Sequence, residues 1–143
     1  MAGLDKLFRG MRSSSLGLSA ERVRMDVIAQ NIANANTTKT EGGGPYRRQM
    51  VRFEPMVQRA ADGTIQSMGV RASGVVEDFT TPMESIYDPA NPDAGEDGYV
   101  QLPNVSATRE MADLITAMRA YEANLSAQEN STQLAERALQ LAR

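Results

Sequence analysis

The sequence predicts a mainly α-helical fold with a small β region, in which long N- and C-terminal antiparallel helices, coiled-coil-like, are joined by an extended middle segment that contains a β-hairpin. Two observations carry this prediction. Apolar residues recur at seven-residue steps near both ends of the chain, and the middle is rich in Pro, Gly and acidic residues. The expected divisions are an N-terminal helical segment over 1–38, an outward-facing loop and β segment over 39–105, and a C-terminal helical segment over 106–143.

The N-terminal helix is predicted from about residue 3 to residue 35 by one apolar line. Its members lie seven residues apart, at Leu4, Met11, Leu18, Met25 and Ile32. Ile28 occupies the companion position three residues after Met25. A seven-residue apolar repeat gives a helix a narrow seam that packs against other helices. Two glycines and three serines weaken the first half, so we expect a kink or a helix that is firm only from about Ser15.

Three asparagines follow the apolar line, at Asn31, Asn34 and Asn36. Asparagine side chains compete with the helical backbone for hydrogen bonds, so this cluster predicts the end of the helix.

The middle segment predicts two strands joined by a turn. Residues 46–53 alternate in polarity and are bounded by two prolines, and residues 70–79 form the second candidate strand. The turn signal between them is Ala61-Asp62-Gly63. Residues 82–103 contain four prolines and two glycines and are expected to be irregular and extended.

Several motifs in the middle segment suggest chemistry only weakly. The glycines at 42–44 lack the spacing of a phosphate-binding loop and predict a flexible turn. The acidic run at 91–97 lacks the Gly and Glu positions of a calcium loop, and no apolar pocket is near enough in sequence to make it a general acid and base, so a solvated turn is expected. Arg47, Arg48 and Arg52 predict either a solvated strand or contact with an acidic partner.

The C-terminal helix is predicted over about residues 106–141, with Ser106 as its N-cap. Its apolar positions alternate at steps of three and four, at Met111, Leu114, Met118, Tyr121 and Leu125. After Leu125 the better apolar line shifts to Leu134, Ala138 and Leu141. Such a break in register lets a helix change the neighbour that it faces.

Composition excludes several classes of function. The chain has no Cys and no His, which removes thiol nucleophiles, histidine bases and zinc sites and leaves no reason to expect a cofactor or a metal. A net charge of −3 argues against nucleic-acid binding. No apolar run approaches the ~20 residues of a membrane span, so we expect no direct membrane insertion. The N-terminus also lacks the apolar core of a cleavable signal peptide.

The two apolar seams imply assembly. Leu18, Met25, Ile28 and Ile32 are expected to pack against the apolar positions of the C-terminal helix, within one subunit or between subunits. A bare pair of helices this long is poorly covered, because one seam does not offset the cost of ordering so many residues. We therefore expect the termini to pack against those of other subunits. A self-contained monomeric helical hairpin capped by the β region is the alternative.

Four stretches carry a recognisable pattern, in order along nearly the whole chain. They are SLGLSAERVRMDVIAQNIANANTT at 15–38, GGPYRRQMVRF at 43–53, YDPANPDAGEDGYVQLPNV at 87–105 and EMADLITAMRAYEANLSA at 110–127. The first resembles the N-terminal signature of the bacterial flagellar axial proteins, the family of rod, hook and hook–filament junction subunits. The combination is similar to subunits of the proximal rod.

The resemblance implies a structural subunit of the flagellar basal-body rod and no catalysis. Terminal helices from many subunits would form the inner tube of the periplasm-spanning rod, with the middle segment facing outward. The chain would leave the cytoplasm through the flagellar export apparatus without a cleaved signal peptide. The implied partners are copies of itself, other rod subunits, the inner-membrane (MS) ring, rod-adaptor proteins and the export apparatus.

Some alternatives remain open from the sequence. The asparagine cluster is either a simple helix stop or a set of amides that form hydrogen bonds across subunits at the bend between the tube and the outer segment. A soluble adaptor or chaperone-like helical binding module would form a defined small complex instead of a polymer. An enzyme would need a pocket built from the 18 acidic residues, and nothing in their spacing suggests one.

Overall fold

Along the chain, one long helix comes first, two small β units follow, and a second long helix comes last. The computed structural model describes residues 2–60 and 63–141, with side chains over 8–60 and 63–140. Helix α1 spans Ala2–Ala33, and helix α2 spans Ala107–Leu141. At 1.5 Å per residue they are about 48 Å and about 52 Å long. Both long helices expected from the sequence are therefore present. Each of their four ends lies within two residues of the predicted position.

Helix α1 is continuous through the glycines and serines that were expected to weaken it. Tertiary contact explains why. The β region packs against this part of the helix so closely that a Cβ added at Gly69 would lie 3.2 Å from the Cα of Ser13. A packed neighbour supplies stability that intrinsic helix propensity lacks. The helix is therefore formed well before Ser15, contrary to one of the two expectations, and the other expectation, a kink, stays a prediction.

Strands β1 (Gln49–Arg59) and β2 (Ile65–Glu77) form an antiparallel hairpin. Two register shifts, between Arg52 and Phe53 and between Met56 and Val57, mark β-bulges in the ladder. The hairpin was predicted, and of its turn signal Ala61 and Asp62 lie outside the described residues. The first strand runs on past Pro55, which was expected to end it. In a two-stranded ribbon both strands are edges, where Pro is tolerated because outward N–H groups have no partner.

A second, smaller antiparallel pair joins β3 (Ser85–Tyr87) to β4 (Tyr99–Gln101). Its rings of Tyr87 and Tyr99 meet edge to face at 5.3 Å between centroids, and Val100 is fully buried. This segment was expected to be wholly irregular, which is wrong for these six residues. Three residues per strand are too few to produce an alternation signal in sequence.

The two helices run antiparallel with a constant register. Gly17 of α1 lies against the side chain of Asn124 of α2, and Asn31 of α1 contacts Glu110 of α2. Fourteen residues separate the two contact positions on α1, and fourteen separate them on α2. The start of α1 and the end of α2 therefore lie at one end of the helix pair, and the asparagines at the end of α1 lie toward the other.

The buried core is thin. The fully buried apolar side chains among the described residues are Ala20, Val27, Ile28, Val100 and Ala117. Four buried residues are polar or charged, namely Asn31, Asp78, Asn104 and Glu110. Within the described residues, neither helix is long and apolar enough to cross a membrane.

The bulge at Gly69 provides a test of this fold. Gly69 has φ +123°, a conformation that L side chains rarely adopt, and it lies directly against α1. We expect Gly69→Ala to lower the free energy of unfolding in urea by about 1–3 kcal/mol. Gly74→Ala, in the same strand with open space around it, is the matched control and should change stability by less than about 1 kcal/mol. Equal effects of the two substitutions would contradict the close contact.

Candidate subunit-packing site

The carboxylate of Glu110 lies at the point where all segments of the chain converge. Glu110 is in the first turn of α2, and its backbone N–H donates to the carbonyl of Ser106, which makes Ser106 the N-cap, as predicted. The side chain is only 1% exposed. One carboxylate oxygen accepts from Asn31 Nδ2 at 2.9 Å, and the other accepts from Arg48 Nε at 2.6 Å. Glu110 thus joins α2 to the end of α1 and to the start of the hairpin.

Asn31 uses every hydrogen-bonding position of its amide within the chain. Its Nδ2 donates to Glu110 and to the backbone carbonyl of Gln49 at 2.8 Å. Its Oδ1 accepts from the backbone N–H of Gln49 at 2.9 Å and from the hydroxyl of Tyr46 at 3.0 Å. The amide therefore pairs with Gln49 as a neighbouring strand would, and it leaves no position for a neighbouring subunit.

Arg48 is the basic centre of the cluster. Besides its bond to Glu110, its guanidinium lies 3.8 Å from Asp78 Oδ2 and 3.7 Å from Asp113 Oδ2. The sequence left open whether Arg48 faces water or an acidic partner, and the structure gives it acidic partners from its own chain. Arg47, its neighbour, lies instead over the ring of Phe79 at 4.4 Å.

Asp78 and Asn104 close the cluster from the far side. Asp78 accepts from the hydroxyls and the backbone N–H groups of Thr80 and Thr81 at 2.6–3.1 Å. These hydrogen bonds, led by that of the Thr80 hydroxyl, hold the pKa of the Asp78 carboxyl well below its usual range. Asn104 Oδ1 accepts from the Arg48 N–H at 2.7 Å, while its Nδ2 donates to the carbonyls of Asp78 and Thr81.

We name these residues, Asn31, Arg48, Asp78, Asn104 and Glu110, the polar clasp. It holds both helices and both ends of the β1–β2 hairpin together through buried, satisfied groups. Burial, followed by the charges of Glu110 and Glu77, raises the pKa of Tyr46, so its hydroxyl remains a donor to Asn31. The described residues contain no group of three or more Asp or Glu side chains placed to hold a metal ion.

The helices face each other largely through small and polar residues, and among the predicted apolar seam residues whose side chains are described only Ile28 is buried. The inward line of α2 repeats every seven residues at Glu110, Ala117, Asn124 and Ser131, all buried or half-buried. Gly17, Ala20 and Asn31 are the matching small or polar positions on α1. Asn124 Oδ1 comes within 2.9 Å of the Cβ position at Gly17, so only Gly permits this approach without a shift.

The predicted seam residues divide into three groups. Ile28 is buried, and Met11, Leu18, Met25, Ile32, Leu114 and Tyr121 are half-buried. Met111, Met118 and Leu125 are 53%, 46% and 40% exposed, so contacts within the chain do not bury them. The physical reason is that the line of small and polar residues through Ala117 allows a closer approach of the two helices. The line of large apolar residues on α2 is then turned outward. Their contact between subunits stays a prediction. The side chain of Leu4 lies outside the described residues.

The remaining asparagines differ from Asn31. Asn34 Nδ2 donates to the carbonyl of Gln30 at 2.9 Å, and its Oδ1 accepts from Thr37, which is the bonding of a helix end. Asn36 is exposed. The cross-subunit hypothesis therefore does not apply to Asn31, agrees poorly with Asn34 and stays a prediction for Asn36.

The two loops with weak chemical motifs have structural roles. Gly43 and Gly44 both adopt positive φ in a turn closed by hydrogen bonds with Thr40. In the acidic loop, Asp93 Oδ2 accepts from the hydroxyl of Thr38 at 2.6 Å, and Lys39 lies 3.9 Å from its other oxygen. Asp93 therefore fixes this loop to the segment that follows α1. The sequence had predicted a solvated turn here instead.

Sequence reasoning missed Arg48, Asp78, Asn104 and Glu110 as a unit. One signal was available in the sequence. Glu110 begins a line of small and polar residues that repeats every seven residues, parallel to the apolar line of α2. Polar residues on a helix face bury only when partners satisfy them, and these partners come from positions up to 79 residues away.

Removing the Asn31 amide should destabilise the subunit. Asn31→Ala leaves Glu110 and the backbone of Gln49 buried without partners, so we expect a loss of about 2–4 kcal/mol in urea unfolding followed by circular dichroism. Asn36→Ala, at an exposed position five residues later, is the control and should change stability by less than about 0.5 kcal/mol. A loss below about 1 kcal/mol for Asn31→Ala would mean that the clasp is not needed for folding.

Asp78 should make stability depend on pH. Its pKa is lower folded than unfolded, so its contribution is full above the unfolded pKa and is lost as the pH falls toward the folded value. Asp78→Asn should therefore cost about 1–3 kcal/mol at pH 7. The difference between the two proteins should narrow below about pH 4, where the unfolded carboxyl of the parent protonates. A difference that is constant from pH 7 to pH 3 would contradict this assignment.

Two family models match the helical parts of the chain. Residues 11–39 match the family described as "Flagella basal body rod protein", and residues 96–141 match "Flagellar basal body rod FlgEFG protein C-terminal". The second match covers both Glu110 and the whole of α2.

Curated relatives are similar over most of their length. The flagellar basal-body rod protein FlgC of Borreliella burgdorferi is 44% identical over 132 residues, which cover 82% of this chain and 86% of the relative. FlgC of Bacillus subtilis is 36% identical over 146 aligned positions, covering 94% and 97%. FlgC of Aquifex aeolicus is 41% identical over 121, covering 85% and 86%. The resemblance read from the motifs is confirmed: the chain belongs to the FlgC family of flagellar basal-body rod proteins, which are structural proteins and not enzymes.

Proposed function

We propose that this chain polymerises through its terminal helices, in coiled-coil-like contact, into the rod of the bacterial flagellar basal body, and that the rod transmits motor torque to the hook and filament. One observation carries the proposal beyond family membership. Met111, Ile115, Met118 and Leu125 form an exposed apolar stripe on a helix that is otherwise well formed. Contiguous exposed apolar surface of this kind marks an interaction site.

The half-buried positions of α1 belong to the same proposal. Met11, Leu18, Met25 and Ile32 lie at the border between the helix pair and its surface, where a second helix pair would finish covering them. Leu4 continues this line in sequence, and Asn36 is free to donate at the bend beyond α1. Segments 1–38 and 106–143 would thus form the rod core, and segment 39–105, which carries ten acidic and six basic residues, would face outward.

The polar clasp suits a part that carries torque. It fixes the helix pair to the β region through several charge-assisted hydrogen bonds rather than through a flexible linker, and such bonds have directional preference. A load applied to the outer segment would therefore reach the helices without a hinge between them.

Further parts of the proposal follow from the family. The partners would be copies of this chain, other rod subunits, the inner-membrane (MS) ring with rod-adaptor proteins, and the flagellar export apparatus, through which the chain would reach the periplasm-spanning rod without signal-peptide cleavage. The names of the relatives support the basal-body location.

Placing a charge on the exposed stripe should prevent assembly and leave the subunit folded. Met118 and Leu125 are about half exposed, so Met118→Glu and Leu125→Glu should keep the helix content and change the free energy of unfolding by less than about 1 kcal/mol. We expect both variants to sediment as single subunits at concentrations where the parent protein assembles. Neither variant should restore motility in a bacterial strain that lacks its own copy of this protein.

Val57→Glu is the control, because Val57 is an exposed apolar residue of the hairpin. It should assemble and restore motility as the parent does. Stripe variants that assemble and swim normally would refute assembly through α2. A parent that forms only a defined small complex at all concentrations would point to an adaptor instead of a polymer.

A further inference from the structure

The exposed stripe of α2 has an acidic flank. Glu122, Glu129 and Glu136 follow one another at seven-residue steps and begin seven residues after Ile115. At 3.6 residues per turn, seven-residue steps keep these carboxylates on the same side of the helix as the apolar stripe. All three are exposed. We call the stripe and its three glutamates the α2 outer face, a surface of large apolar and negatively charged side chains.

The exposed side of α1 has the complementary character. Its exposed residues include Arg12, Ser15, Ser19, Arg22, Ala29 and Ala33. Four of these six side chains are small, and the two large ones are positively charged; Asp26 is an exception on the same side. We call this set the α1 outer face. Small residues leave depressions that the methionine and leucine side chains of another helix can fill.

The charges of the two outer faces do not meet within the chain. Helix α1 carries five basic and three acidic residues, and α2 carries three basic and five acidic residues, so the helices have net charges of +2 and −2. Across the described side chains, no ion pair joins α1 directly to α2. The opposite charges of Arg12, Arg22 and the three glutamates therefore remain for another molecule.

We propose that the α2 outer face of one subunit docks on the α1 outer face of the next copy of this chain. The proposal rests on the function proposed above and specifies which surfaces meet. Different surfaces on the two partners make a heterologous contact, which propagates into a ring or an open helix instead of closing as a twofold dimer. Each subunit would use one outer face on each side.

The antiparallel register of the helix pair fixes which residues would meet. Gly17 is level with Asn124 and Asn31 with Glu110, so level residues on the two helices have numbers that add to 141. For two subunits side by side at one height, Arg12 then lies level with Glu129, and Ser19 with Glu122. Ala29 lies level with residue 112, beside Met111. Arg12 and Glu129 are thus level and opposite in charge, and the small Ser19 and Ala29 are level with Glu122 and with the start of the apolar stripe. Arg22 is level with Arg119, which lies outside the α2 outer face.

Disulfide formation between single-cysteine variants tests this contact directly, because the chain has no cysteine of its own. Full-length Ser19→Cys and Glu122→Cys proteins are mixed at concentrations where sedimentation shows assembly, and then oxidised. We expect dimers that contain one copy of each variant to be several times more abundant than those formed by either variant alone. Ala127→Cys is the matched control, exposed on the other side of α2, and its mixture with Ser19→Cys should give few dimers.

The other outcomes overturn the proposal in distinguishable ways. Assembly without the Ser19–Glu122 cross-link, or with a stronger Ser19–Ala127 cross-link, would mean that the helices polymerise through other surfaces, and the proposed function would stand. Absence of any assembly in the parent and in both variants would contradict the proposed function and the contact together.

Charge reversal gives an independent measurement. Glu129→Arg and Arg12→Glu should each raise the concentration needed for assembly by about threefold to tenfold, and mixing the two variants should restore part of the loss. Arg119→Glu makes the same change of charge as Arg12→Glu at an exposed position outside the α2 outer face, so it should have a smaller effect. Equal effects of Arg119→Glu and Arg12→Glu would refute the specific pairing.

Discussion

The hydrogen bonds of the Glu110 carboxylate, to the amide of Asn31 on one side and to the guanidinium of Arg48 on the other, are the interaction on which the rest of the structure depends. They join the end of α1, the start of β1 and the first turn of α2 at a single buried point. Without them, the thin apolar core would leave the helix pair and the hairpin with little to define their relative orientation. Asp78 and Asn104 extend the same network to the end of β2, which lies beside the start of β1.

A buried polar cluster is better suited to specifying geometry than to adding stability. Desolvation of charged groups offsets much of their mutual attraction, so an apolar replacement of the same shape could be as stable. Each member of the clasp, however, pairs only with particular donors or acceptors in particular directions, and a shifted arrangement would leave buried groups unpaired. For a subunit whose neighbours must repeat its shape along a rod, a fixed angle between helices and outer segment has clear value.

The contact between the helices explains why the subunit presents apolar residues to its surroundings. Small residues such as Gly17, Ala20 and Ala117 bring the helices close together, and the larger Met111, Met118 and Leu125 are turned outward as a result. The same choice therefore stabilises the monomer and prepares a surface for a neighbour. Because the exposed side of α1 is small and basic while that of α2 is large and acidic, one subunit would carry both halves of the repeating contact that we propose.

The sequence by itself determined the two long helices, the hairpin between them and the family, because seven-residue periodicity, turn residues and the motifs are local signals. It did not determine which line of each helix faces the other, since the apolar line at Met111 and Met118 and the small line at Glu110 and Ala117 have the same period. Only the tertiary structure decided between them. Burial of Glu110 requires Asn31 and Arg48 as partners, and those partners are distant in sequence and meet only when the chain is folded.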